Sequence, residues 1–312
     1  MKSSGIGGQA VLEGIMMKNR DDYAVAVRNA NHEIIKEKKQ YKSLGSKYRL
    51  FGLPFIRGIF SFIDSMILGM KTLTFSADIY GEEEEEEPSK LETWLTEKLG
   101  ERFEKLVMGL TVAISIVLAV VIFMMAPVFL SNLLRPILPS VFWRSVLEGL
   151  IRIGIFLGYV ALISLMKDIK RVYMYHGAEH KCINCIEHGM PLTVENVAKS
   201  SRFHKRCGTS FLIFVVLISV ILFIIIQVDT LWLRLLTRVL LIPVIAGISY
   251  EILRLAGNSD HPIINLVSKP GLWVQRITTK EPTDDMIEVA IAAVEEVFDW
   301  RAYLKEEFHT EG

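Results

Sequence analysis

The chain holds too little cysteine for a disulfide framework: Cys182, Cys185 and Cys207 are its complete set in 312 residues, an odd number with two of them three positions apart. It has no excess of either charge, with 35 basic and 35 acidic residues, a balance that by itself says nothing about nucleic acid; no nucleic-acid partner is expected because topology and anionic headgroups explain the local basic clusters. The glycine-containing start, Gly5-Ile6-Gly7-Gly8-Gln9-Ala10-Val11-Leu12-Glu13-Gly14, has no Gly-Lys-Ser/Thr ending and so is not a phosphate loop. Cys182 and Cys185 are followed by Ile186 where haem attachment would need histidine. No internal repeat is detectable. Met1 to Lys18 has no continuous apolar core after a basic start, so a signal peptide is not expected there.

What the chain has is apolar length. Hydrophobic residues make up 51%, charged residues 22%, and the mean hydropathy is +0.35, which suits an integral membrane protein. Four stretches approach the roughly 20 residues that a helix needs to cross a bilayer: Leu106 to Leu130, Val146 to Met166, Phe211 to Gln227 and Leu235 to Leu255. The first and third carry no ionisable residue. The second includes Glu148 and Arg152, and the fourth Arg238 and Glu251, near ends where long side chains can reach the interface.

Lys167, Lys170, Arg171, Lys181, Lys199, Arg202, Lys205 and Arg206 lie between the second and third spans, whereas the loop before the second offers Arg135 and Arg144. The positive-inside rule therefore puts residues 167–209 in the cytosol and, with an even number of spans, both termini as well. Topology and anionic headgroups explain these basic clusters without a nucleic acid. Reducing conditions there make the three cysteines thiols or ligands.

The expected fold class is mainly α: a polytopic membrane protein with about four transmembrane helices and a small N-terminal β-hairpin region. Its parts run 1–81, an N-terminal cytosolic region; 82–105, a linker opened by Glu82 to Glu87 and an amphipathic helix; 106–257, the membrane domain; and 258–312, a cytosolic tail with a helix over Asp284 to Glu307. Alternation in Tyr23 to Arg28 and His32 to Lys38 around Asn29-Ala30-Asn31 predicts the hairpin. Leu50 to Tyr80, interrupted by Pro54, Arg57, Asp64 and Lys71, reads as an interfacial or re-entrant helix.

The chemistry is concentrated in His176-Gly177-Ala178-Glu179-His180, with Cys182 and Cys185 just after it and His204 and Cys207 further on. On a helix His176 and His180 share a face, with Glu179 beside them, the inverted order of the His-Glu-x-x-His zinc motif. Zinc would take four nitrogen and sulfur donors in a structural site or three plus water in a catalytic one. Spacing leaves two sets open. Cys182 and Cys185 with His204 and Cys207 would make a ribbon-like closed site. His176 and His180 with a downstream third ligand such as Glu251 would make an open one, Glu179 then acting as the base that deprotonates water. Glu13 could also reach the site. Cys207 beside Arg206 keeps a nucleophilic-cysteine reading alive.

Three strings, residues 7–17, 175–181 and 206–211, together with 270–276 and 278–282 in the tail, resemble the YqhQ-like family of bacterial membrane proteins, a family of unknown function. The likeness covers nearly the whole chain, and the six-glutamate run looks like a local elaboration. What the resemblance implies is a predicted metal-dependent enzyme in a bacterial cell membrane, with His176, Glu179, His180 and Cys207 at the family's motif positions. The combined expectation is a divalent metal, zinc by donor type, in a cytosol-facing hydrolase acting on a membrane-protein or lipid substrate. The rival expectation is a non-enzymatic membrane-protein assembly or quality-control factor whose metal only stiffens the loop. A transporter is disfavoured by the clustering of donors in a loop.

Overall fold

A computed structural model describes residues 2–47, 49–80, 101–259 and 261–309. Most of the 82–105 segment, including the glutamate run, lies outside the described residues. The chain is mainly helical and divides into two compact units, one made of residues 1–80, 159–218 and 243–312, the other of 81–158 and 219–242.

The first unit is built on a four-stranded antiparallel meander: β1 (Gly7–Val11), β2 (Gly14–Asn19), β3 (Asp22–Arg28) and β4 (Ile34–Gln40), in that order across the sheet. The expected hairpin is β3 with β4, and two further strands precede it. Asp22 to Arg28 is buried almost throughout because both faces of the sheet are covered. Val11, Met16, Tyr23, Val25 and Val27 pack under Leu68 of α1 (Ile56–Tyr80). Ile15, Met17, Ala24 and Ala26 pack on α4 (Lys167–Glu187) and α10 (Asp284–Val297).

Among the described residues, four helices are long and apolar enough to cross a membrane: α1, α2 (Leu106–Leu133), α3 (Val141–Ile163) and α6 (Gly208–Ile225). The expected fourth span is instead a pair, α7 (Leu231–Leu240) and α8 (Ile242–Asn258), bent by 42°. Pro243 at the start of α8 has no N–H for the helical ladder, which favours the break there. Residues 56–80, expected to lie on the interface or re-enter, form one unbroken 25-residue helix that passes the same length and hydropathy criteria. Also present are α5 (Val194–Lys199), α9 (Pro262–Thr278) and α11 (Trp300–Phe308), with short helical turns over Leu44–Lys47 and Arg49–Gly52.

The second unit corrects the expectation that Glu148, Arg152 and Arg238 reach outward. All three, with Arg234, are at most 3% exposed. Glu148 of α3 accepts from Arg152 one turn on, at 3.1 Å, and from Arg234 and Arg238 of α7 at 2.7 and 3.0 Å. The i, i+4 spacing of Glu148 with Arg152 and of Arg234 with Arg238 puts the members of each pair on one face, and mutual charge pairing replaces solvation by the interface. Arg152 Nε also donates to the carbonyl of Phe123 at 2.9 Å, within a π-helical turn over Val121–Met125. Pro127 has no N–H to give that carbonyl in the ordinary i to i−4 pattern.

Candidate metal centre

α4 runs under the sheet and is buried all round from Gly177 to Glu187, although its composition is polar. The Lys181 and Asn184 side chains that this burial removes from water are matched. Lys181 donates to the carbonyls of Ala198 and Ser200, and Asn184 to those of Ser201 and Phe203. These bonds tie the 198–204 segment along the helix. On the other side the segment just past α9 crosses α4 at Gly177, where a Cβ would come within 2.0 Å of the Lys280 carbonyl. The Lys280 N–H donates to Tyr173 O at 2.8 Å. Glycine is required by that close backbone approach.

These two crossings place a carbonyl beside each histidine. His176 Nδ1 lies 2.9 Å from Thr278 O, and His180 Nδ1 lies 2.7 Å from Arg202 O. A carbonyl can only accept, so both Nδ1 atoms carry a proton, and Nε2 is the atom of each ring left to serve as a metal ligand once it is deprotonated. His176 Nε2 sits 3.2 Å from Cys207 Sγ. Ligand atoms of His176, His180 and Cys207 all lie within 4.8 Å of one another. Zinc bonds of about 2.0–2.3 Å in a tetrahedral arrangement would separate nitrogen and sulfur by about 3.5 Å. The donor set and its spacing therefore fit such an ion.

Electrostatics agree. Burial alone would push the Cys207 thiol up, but the imidazoles of His176 and His180 beside it hold it well below the usual thiol range. Burial likewise opposes charge on His176, yet the Cys207 sulfur, with Glu179 nearby, raises the imidazole to about 9. Cys207 immediately precedes α6, and Thr209 N–H points at its sulfur from 3.4 Å, the helix-start environment that favours a thiolate.

The other sequence candidates go elsewhere. Nine residues at 100° each put Cys185 on the side of α4 opposite His176. Cys185 and Cys182 are buried in the core under the sheet, where burial pushes both thiols up, Cys185 to about 11. The ribbon-like set is therefore not assembled. His204 Nε2 faces Glu187 at 3.3 Å, although its ring stands 5.8 Å from that of His180. Glu251 accepts from Arg57 and from Phe55 N–H, and Glu13 from Arg171 and Tyr175; neither joins the three donors.

Glu179 remains beside the site: it is 5% exposed, accepts no hydrogen bond among the described residues, and lines a cavity of about 660 Å³ with His176 and Cys207. What sequence reasoning missed is the support: the Thr278 and Arg202 carbonyls, which have no side-chain signature, and Gln275. Gln275 Oε1 accepts from His204 N–H, while its Nε2 donates to His204 O and Ser210 Oγ. It clamps the segment leading to Cys207.

A family model described as a protein of unknown function (DUF1385) matches residues 53–300. The chain is 40% identical over 294 residues to an uncharacterized protein, YqhQ, of Bacillus subtilis (strain 168), covering 93% of this chain and 91% of that one. No solved structure matches it.

Proposed function

The chain belongs to the DUF1385 family of proteins of unknown function, and from the site itself we propose that it is a membrane-anchored metal-dependent hydrolase whose centre faces the cytosol. His176, His180 and Cys207 are the ligands and Glu179 is the general base. The observation that carries the reading is the pair of Nδ1-to-carbonyl bonds, the outer support that orients imidazoles toward a metal. Two nitrogens and one sulfur suit zinc, and three protein donors leave a fourth position for substrate or water. When bound, the ion would supply Lewis-acid polarisation of a carbonyl and acidify water. Glu179, on the same helix face and free of competing donors, would take the proton from the attacking water and return it to the leaving group.

Purified protein analysed for metal beside His176→Ala, His180→Ala and Cys207→Ala tests the ligands: the wild type should hold one equivalent and each variant much less. Equal content in all four sinks the site. Glu179→Gln should keep both fold and metal yet lose function in cells lacking the native gene. Full function in that variant would instead favour the structural role in a non-enzymatic assembly factor.

A further inference from the structure

The cavity beside Glu179 has a wall that its residue types alone do not reveal: the free edge of the sheet. Among the described residues β1 pairs with β2 alone, and the alternation of its backbone groups can be fixed. Arg28 N–H donates to Glu13 O, so the odd-numbered residues of β2 bond toward β3 and the even-numbered ones toward β1. With Gln9 opposite Met16 and Val11 opposite Gly14, Gly7, Gln9 and Val11 bond inward. Gly8 and Ala10 therefore turn their N–H and C=O groups away from the sheet, and neither bonds to another described residue. Both residues line the cavity.

We propose that this edge binds an extended polypeptide as a fifth strand and presents one of its peptide bonds to the metal centre, so that the substrate class is protein. The inference rests on the hydrolase reading above. Gly8 sets the register, since a Cβ there would meet Glu179 Cγ at 3.0 Å and Met16 O at 2.6 Å; only glycine brings the strand this close to the base. Opposite the edge, α1 offers Phe62, Met66, Met70 and Leu73, an apolar wall for every second side chain of an added strand. The volume lies within the roughly 300–1,000 Å³ of ligand pockets. Outside the metal centre itself the charged lining residues are Glu179 and Arg206, and Arg206 is spent on Glu187, so among the described residues no other lining cation is left for a lipid phosphate. In the reaction, water oxygen bonds to the carbonyl carbon and the C–N bond breaks with its electron pair going to nitrogen. Glu179 carries one water proton to that nitrogen and the second passes from the new carboxyl group to the amine, leaving a carboxylate and an ammonium group.

The test uses full-length, zinc-loaded protein in nanodiscs and two probes with the same chelating group, N-acetyl-trileucine hydroxamate and decanoyl hydroxamate. The peptide should bind at least about tenfold more tightly, as expected of two or three added backbone hydrogen bonds. N-methylation of its amides should remove that advantage. Ala10→Pro, which deletes an outward N–H and spares the ladder, should do the same with metal content unchanged. Equal affinity for the two probes, or indifference to N-methylation, overturns the edge-strand inference and leaves the metal centre standing. Failure of both to bind loaded protein overturns the hydrolase reading itself.

Discussion

Replacing Glu148 by Gln is expected to cost far more than replacing any one of its partners. Three guanidinium groups, Arg152, Arg234 and Arg238, converge on this single carboxylate at 2.7–3.1 Å, all at most 3% exposed. At charge separations of roughly 4 Å and an effective dielectric near 20, each attraction is worth about 4 kcal/mol. Removing the carboxylate forfeits all three and leaves three like charges facing one another. After relaxation the loss should be about 3–5 kcal/mol, the usual result of breaking a buried pair from one side. Arg238→Met should be much milder. It reduces the charge excess and removes a buried Nη1 that has no hydrogen-bond partner among the described residues, losing in exchange a contact with the Phe223 ring, 3.8 Å from the guanidinium carbon, worth about 0.5–2 kcal/mol. SDS-titrated unfolding in detergent micelles, followed by tryptophan fluorescence, would read the difference, since Trp143 and Trp232 lie on the two helices involved. Glu148→Gln within about 1 kcal/mol of wild type, or Arg238→Met as damaging as Glu148→Gln, would refute the reasoning.

Gly177→Ala should destabilise by about 1–3 kcal/mol through overpacking and lower metal content, because the 2.0 Å clash with Lys280 O displaces the chain that carries the carbonyl bound to His176; melting and metal analysis on one preparation check both. Glu187 should shape the acid limb of stability. Burial alone would raise its carboxyl, but His204 and Arg206 hold it below the usual range. Its contribution is therefore present above the unfolded value of about 4.3 and lost as pH falls through the lower folded value. Glu187→Gln should be less stable at neutral pH and show a flatter loss between pH 5 and 3 by about one proton; an unchanged slope would contradict this.

The sequence read best where one side chain's type was enough. Charge-free apolar runs announce α2 and α6 because nothing else in a protein tolerates that length without polar relief. His176 and His180 could be placed on one face from their spacing alone, and Cys207 entered the same candidate list. Legibility failed where meaning depended on what lies opposite. Glu148 and Arg152 look like interfacial residues on one helix and become a buried cluster only when α7 supplies two more arginines. Cys182 and Cys185 look like ligands until the helix turns them away from the histidines. The strands β1 and β2 were hidden by glycines that weaken the local strand signal. Gly8 is in β1 because a side chain there would strike Glu179, so the residue that disguises the strand is the one its position requires. The same holds for Gly177, which carries no signal of its own in the motif and lies where the Lys280 carbonyl would come within 2.0 Å of a Cβ. In this chain the small residues record where backbones meet the reactive groups. The free edge of β1, invisible in any list of donors, is therefore the feature most directly exposed to test by a probe that differs from its control only in backbone amides.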